Sequence, residues 1–208
     1  MLPFAAPSVC ELPMKRLTVA IAAASLSACA AIKDKLPSFD LFKADTAKAS
    51  SADNPNFREF GRFVGSWDCK SEQRGENGWQ AQPGVAKWRW ETALNGYAIQ
   101  DYWTPPPEAE NPLGVGTNLR IYNQQRERWE IVWTTAAQQE WDFIWAKEVG
   151  DKMVMHMQRP ERAGMNAHVA RISFYNISKD SYDWRYEAAP ISDSRNYSEV
   201  FRISCTRS

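Results

Sequence analysis

From Gly65 onward the apolar residues of this chain fall at every second position, not every third or fourth. That period belongs to half-buried β-strands rather than to an amphipathic helix. Alternating runs bounded by turn-forming residues predict ten strands, near 65–73, 84–94, 97–104, 115–123, 127–135, 139–146, 151–158, 167–176, 181–188 and 196–206. Asn95-Gly96 between two of them is a type I′ hairpin signal, and Asn123–Arg126, Val149–Asp151 and Ser178–Asp180 supply further turns. Two longer loops run from Pro105 to Gly114 and from Arg159 to Asn166. No link is long and periodic enough to be a crossover helix, so the strands are expected to pair antiparallel. Ten such strands in succession leave two open edges unless the sheet closes, and an up-and-down barrel is the simplest closure. Ahead of the first strand, Asn56–Phe63 reads as a short amphipathic segment followed by Gly65-Ser66-Trp67. The glycine allows a tight turn out of a helix, and the tryptophan is placed to plug one end of the barrel. The expected fold class is all-β, an antiparallel up-and-down barrel of about ten strands with a short N-terminal helix.

The hairpin at Asn95-Gly96 fixes which side chains share a face. A two-residue loop pairs Leu94 with Tyr97, Thr92 with Ile99, Trp90 with Asp101 and Trp88 with Trp103. One face then carries Trp88, Trp90, Leu94, Ile99, Trp103 and a single charge, Asp101. The other carries Lys87, Arg89, Glu91, Gln100 and Tyr102, so the first is the buried one. Later strands repeat the theme with Trp129, Ile131 and Trp133; Trp141, Phe143 and Trp145; Met153, Met155 and Met157; Tyr182, Trp184 and Tyr186; and Tyr197, Phe201 and Ile203. A barrel of about eight strands is just wide enough to fill with side chains or to hold one small ligand. Ten strands leave more room, and the ten tryptophans of the chain can either fill it or line it. Asp101 and Arg120 are the candidate polar pair of this interior. An isolated buried carboxylate costs several kcal/mol, so Asp101 is expected to be paired or protonated. Arg120 either joins it inside to anchor a ligand's head group, forms a structural ion pair, or points outward. The candidate ligand-binding set is Trp88, Trp90, Asp101, Trp103, Arg120, Trp133 and Trp141.

The N-terminal quarter has a different pattern. Lys15-Arg16 followed by the apolar run Leu17–Leu26 is a secretory signal, too short for a spanning helix. Met14 opens that signal by itself, which leaves residues 1–13 as a candidate for a start codon placed too early. Leu26-Ser27-Ala28-Cys29 resembles the lipobox of bacterial lipoproteins. The resemblance implies cleavage ahead of Cys29, lipidation of its thiol with acyl chains such as palmitate, and, with Ala30 next, sorting to the outer membrane on its periplasmic side. Residues 29–55 are rich in Ala, Lys, Ser and Asp without an apolar period, as expected of a flexible tether, and 56–208 form the single domain. Without residues 1–28 the 25 basic and 25 acidic groups become 23 and 24, a net charge of −1, which argues against a nucleic-acid partner. Of the four cysteines, Cys10 and Cys29 fall in the leader and its junction. Cys69 and Cys205, in the first and last strands, are a candidate disulfide in an exported protein, and in a closed meander those strands are neighbours.

The ordered motifs of the domain resemble a known family. They are Phe63–Trp67, Trp88–Glu91, Leu94–Gly96, Ile99–Trp103, Gly116–Tyr122, Trp129–Trp133, Phe174–Ser178 and Asp180–Trp184. In order and spacing they resemble bacterial proteins with a lipocalin-like, calycin-type domain of unknown function, over about residues 56–206. The resemblance implies a barrel of the lipocalin or fatty-acid-binding type with an interior ligand site. Where many such relatives carry an Asp-Gly-Gly-x-Thr-Trp turn, this chain has Ser192–Tyr197. No nucleophile elbow, zinc-binding helix motif or phosphate-cradling glycine loop is present, so no catalytic residue, metal ligand or cofactor is assigned. The thioethers Met153, Met155 and Met157 beside His156 are the nearest approach to a soft-metal set, but alternation points His156 to the other face. The expected function is that of an envelope lipoprotein whose Trp-rich barrel binds a small apolar or amphiphilic molecule. The alternatives are an interaction or structural module with a filled barrel, and a haem-binding, nitrobindin-like barrel using a single histidine.

Overall fold

The structure is a computed structural model that describes residues 56–109, 112–162 and 165–208. The leader, Cys29 and the tether therefore lie outside the described residues. A short helix, α1 (Phe57–Gly61), precedes eleven strands: β1 (Gly65–Gly75), β2 (Gly78–Ala81), β3 (Ala86–Ala93), β4 (Ala98–Thr104), β5 (Gly116–Asn123), β6 (Arg128–Thr135), β7 (Asp142–Val149), β8 (Lys152–Arg159), β9 (His168–Tyr175), β10 (Ser181–Pro190) and β11 (Ser198–Arg207). From β4 to β11 each strand pairs with its predecessor, β3 pairs with β1, and β11 pairs with β1 to close the ring. Ten strands thus close an antiparallel barrel, and β2 is an additional short strand beside the far half of β1, from Glu72 to Gly75. Four-residue β2 leaves only a faint trace in the sequence, where Trp79-Gln80-Ala81-Gln82 alternates over just two periods. Among the described residues no helix is long and apolar enough to cross a membrane.

The seam forms where the cysteines indicated. Cys69 and Cys205 stand directly opposite each other in the β1–β11 ladder and form a disulfide, with Cα atoms 4.2 Å apart. Gly65, at φ +131°, opens β1 in a conformation that a side chain would strain, and the space its Cβ would take is filled by the Arg207 guanidinium. Arg207 lies 4.0 Å above the Trp67 ring and donates to the carbonyls of Val64, at 3.0 Å, and Lys179. The last strand in this way covers the first tryptophan and ties down the chain leaving α1.

The β3–β4 register is the expected one, Trp88 opposite Trp103 and Trp90 opposite Asp101. Its turn differs. Leu94, Asn95 and Gly96 all take positive φ, pairing stops at Ala93 with Ala98, and Leu94 is exposed rather than buried. Two face assignments are also corrected. In β7 the inward residues are Asp142, Ile144 and Ala146, while Trp141 and Phe143 are exposed, the latter 75%. Both faces of this strand are apolar, so alternation alone does not choose between them. The Gly150 turn pairs Val149 with Lys152, setting Ala146 opposite Met155 and Ile144 opposite Met157. With the methionines inside, the even-numbered residues of β7 must be inside too. At the start of β11, Tyr197 points outward, beneath the Arg171 guanidinium at 4.5 Å. A bulge causes this: Tyr186 faces Phe201 but Glu187 faces Glu199, leaving Val200 unpaired, and one extra residue reverses the alternation beyond it.

Candidate functional site

One end of the barrel is solid. Phe60 from α1 and Phe63 from the turn after it enter between the strands and meet Trp67, Trp90, Trp129, Phe174 and Tyr182, all with at most 1% of their surface exposed. Phe60 stacks on Trp90 and the other rings pack edge-on or tilted, with Phe63 4.9 Å from Phe174, Trp67 4.7 Å from Tyr182 and Phe60 5.2 Å from Trp129. Two indoles of this plug are satisfied by the helix region: Trp67 donates to the Phe63 carbonyl at 2.7 Å and Trp129 to Glu59 at 2.8 Å. Ion pairs from Arg58 and Arg62 to Glu148 fasten the helix to β7.

Arg120 lies on this plug, fully buried. Its guanidinium stands 4.3 Å from the Trp90 ring centre and 5.0 Å from that of Phe60, and one amino group donates to Asp101. Asp101, also fully buried, receives a second donor from the Asn118 amide, 3.2 Å from each carboxylate oxygen. Burial draws the Arg120 guanidinium below its usual range, and the charge of Asp101 pulls the other way. The pair leaves no net charge in the barrel centre.

Above Arg120 the barrel is hollow. A cavity of about 250 Å³ has Arg120, Asn118 and Trp88 at its floor and Ile144, Met155, Met157 and Ile172 in its middle wall. Trp103, Trp133, Trp184, Tyr186, Phe201 and Arg159 surround its upper part. These upper rings are only half-buried, whereas Trp88 beneath them is 5% exposed. Gly116 makes room here, since a Cβ at this position would overlap the Trp133 ring. At the rim Asp142, only 3% exposed, accepts from Arg159 Nε at 3.0 Å and pairs with Arg162 Nη1 at 3.0 Å. Tyr186 shares a hydrogen bond of 2.7 Å with His168, and its own burial pushes its hydroxyl up to about 12.

Of the sequence-derived set, Trp88, Trp103, Arg120 and Trp133 line the cavity. Trp90 and Asp101 lie under it, in the plug, against the floor residues Trp88, Asn118 and Arg120. Trp141 does not belong: it is 56% exposed, on the outer surface just before β7. Asn118 and Arg159 were missed, although both follow from parity, Asn118 being two residues from Arg120 and Arg159 two from Met157. The methionine trio is inside and His156 outside, stacked 4.3 Å from Trp145, as alternation predicts. Neither histidine is in the cavity wall, and His168 has both ring nitrogens engaged, with the Asn166 carbonyl and the Tyr186 hydroxyl. Among the described residues no group of three or more His, Cys, Asp and Glu is placed to hold a metal ion.

Comparison with known proteins places the fold and nothing finer. No family model matches the chain, and no curated protein does. Among solved structures, the S-type phycobiliprotein lyase CPES from Guillardia theta is similar, at a TM-score of 0.50 and 11% identity, over 73% of this chain and 91% of that one. Rv2717c from M. tuberculosis matches at a TM-score of 0.49 and 11% identity, over 74% of this chain and 98% of that one. The class defined by the closed ten-strand barrel is the lipocalin-like fold.

Proposed function

We propose that this protein is a lipid-anchored carrier of the bacterial envelope whose barrel binds one small, mostly apolar molecule. The observation that carries the reading is the cavity of about 250 Å³ above Arg120. A chain that gained only stability from its aromatics would extend the packing of the plug through the whole barrel. Here the rings of Trp103, Trp133, Trp184 and Phe201 stop short of one another and line a space instead. Its volume lies between the roughly 150 Å³ that admits benzene and the roughly 300 Å³ at which drug-sized pockets begin. A compact ligand, or one whose tail extends past the rim, fits these dimensions. The lipobox resemblance at Leu26–Cys29 supplies the anchor, and the 27 residues from 29 to 55 supply the spacer.

Native mass spectrometry of the purified chain, with solvent extraction of what it carries, tests the cargo. A bound species of constant mass is expected across preparations. Met157→Trp, which fills the middle of the cavity, is expected to lose it while keeping a cooperative unfolding transition, and Trp141→Ala on the outer surface to keep it. Empty protein in every preparation, taking up no apolar probe, would sink the carrier reading. In the same bacterial cultures labelled palmitate is expected to enter the wild-type chain and not Cys29→Ser.

A further inference from the structure

The cavity floor holds two hydrogen-bond donors with no acceptor among the described residues. Arg120 commits one amino group to Asp101, and the faces of its guanidinium are covered by Trp90 and Phe60. Its Nε–H is buried and has no acceptor among the described residues. The indole N–H of Trp88 is in the same condition. Both side chains line the cavity, and both contact Trp90, Arg120 through its guanidinium and Trp88 ring to ring at 5.3 Å. A buried donor left without a partner costs about 1–3 kcal/mol. Native interiors carry few of them, and each calls for an explanation. Two at the floor of one hollow amount to a site built for an acceptor that is not part of the chain.

The charges decide what kind of acceptor it is. Two cationic side chains line the cavity, Arg120 and Arg159, and each is matched by a buried carboxylate, Asp101 for the first and Asp142 for the second. Asn118 donates its amide to the same carboxylate as Arg120, so the acceptor capacity of Asp101 is taken up within the floor. A ligand carboxylate brought to this floor would give up its hydration and meet Asp101 across Arg120, with no uncompensated positive charge to offset either cost. A carbonyl oxygen gives up far less, and its two lone pairs suit N–H donors. The walls beyond ask for an apolar body: Ile144, Met155, Met157 and Ile172, then the tryptophan rings.

We infer that the ligand is uncharged and carries a carbonyl-type oxygen, as in a ketone, aldehyde, ester or amide, and that this oxygen enters first to accept from Arg120 Nε–H and Trp88 Nε1–H. This rests on the carrier reading and refines it. It separates this barrel from one that holds a fatty acid by its carboxylate, because here the arginine is already neutralised.

Three probes of matched chain length, nonane, 2-nonanone and nonanoate, titrated into the full chain at neutral pH and followed by calorimetry and tryptophan fluorescence, test it. The ketone is expected to bind about three- to tenfold more tightly than the alkane, the range of one or two neutral hydrogen bonds, and more tightly than the carboxylate. Trp88→Phe keeps a ring in place and removes its donor. It is expected to reduce the advantage of ketone over alkane about threefold, with alkane affinity little changed, while Trp141→Phe leaves the ratio as it was. If nonanoate binds most tightly, the floor is an anion site and the inference is wrong. Equal binding of ketone and alkane means that the donors hold only water, which overturns the inference and leaves the carrier reading standing. Failure of all three probes to bind removes the carrier reading itself.

Discussion

Asp101 and Arg120 show how much one residue pair decides. Each alone would be intolerable in the barrel centre, and together they are neutral, hydrogen-bonded and enclosed by aromatic rings. Asp101→Ala leaves Arg120 charged and unmatched, and is expected to cost about 3–5 kcal/mol of stability by chemical denaturation. The double change Asp101→Ala with Arg120→Met is expected to recover most of that loss. If the double variant is no more stable than the single one, the two side chains are not energetically coupled. The tyrosines give a second consequence. Burial raises the hydroxyl of Tyr182 well above its ordinary value near 10 and that of Tyr186 to about 12. The folded chain therefore keeps protons that the unfolded chain releases as pH climbs past 10, so stability falls through the window from about 10 to about 12. Tyr186 alone accounts for a loss on the order of 2–3 kcal/mol. Unfolding midpoints measured across that window should decline, and Tyr186→Phe should flatten the decline. A midpoint constant to pH 12 would contradict the burial of these hydroxyls.

At the scale of strands and turns, register is what matters. The Asn95-Gly96 turn and the Gly150 turn each commit a hairpin, and every inward residue of β3, β4, β7 and β8 follows from them. The Gly150 hairpin was readable: methionines facing in on β8 force Ile144 and Ala146 in on β7, and this places Trp141 and Phe143 outside. Larger rings on the opposite face obscured it, because hydrophobicity by itself does not register on which side of a sheet the core lies. The bulge opposite Tyr186 was not readable, since no sequence signal marks Val200 as an extra residue. The disulfide also belongs to this scale. It joins the first and last barrel strands across 136 residues of sequence, so it restricts the unfolded chain over nearly the whole domain. Replacing both Cys69 and Cys205 by serine is expected to cost about 2–5 kcal/mol. Thiol titration of the denatured but unreduced chain should find neither cysteine, and reactive thiols at either position would contradict the pairing.

For the whole molecule, the barrel is divided into a filled end and a hollow one. The filled end is made by α1, which inserts Phe60 beside Trp90, Trp129 and Phe174, and by Arg207, which closes over Trp67. The hollow end is where the strands present Trp103, Trp133, Trp184 and Phe201 around open space. The open space is therefore confined to one half, with Arg120 as the boundary, and the ligand proposed above has only that half to occupy.

Period-two alternation, short turns and two well-placed cysteines were enough, as sequence, to determine an antiparallel closed barrel and its seam, because these depend on neighbours along the chain and on one long-range pair. The inward face of Asp101 was legible too, from the hairpin register, whereas the sequence left open whether Arg120 turned in to meet it. The tertiary structure alone decided that the tryptophans stop short of filling the interior, that Trp90 and Asp101 support the cavity without lining it, and that Arg120 Nε and Trp88 Nε1 find no acceptor among the described residues. Those facts depend on how side chains from different strands meet in space, and alternation along any one strand does not contain them.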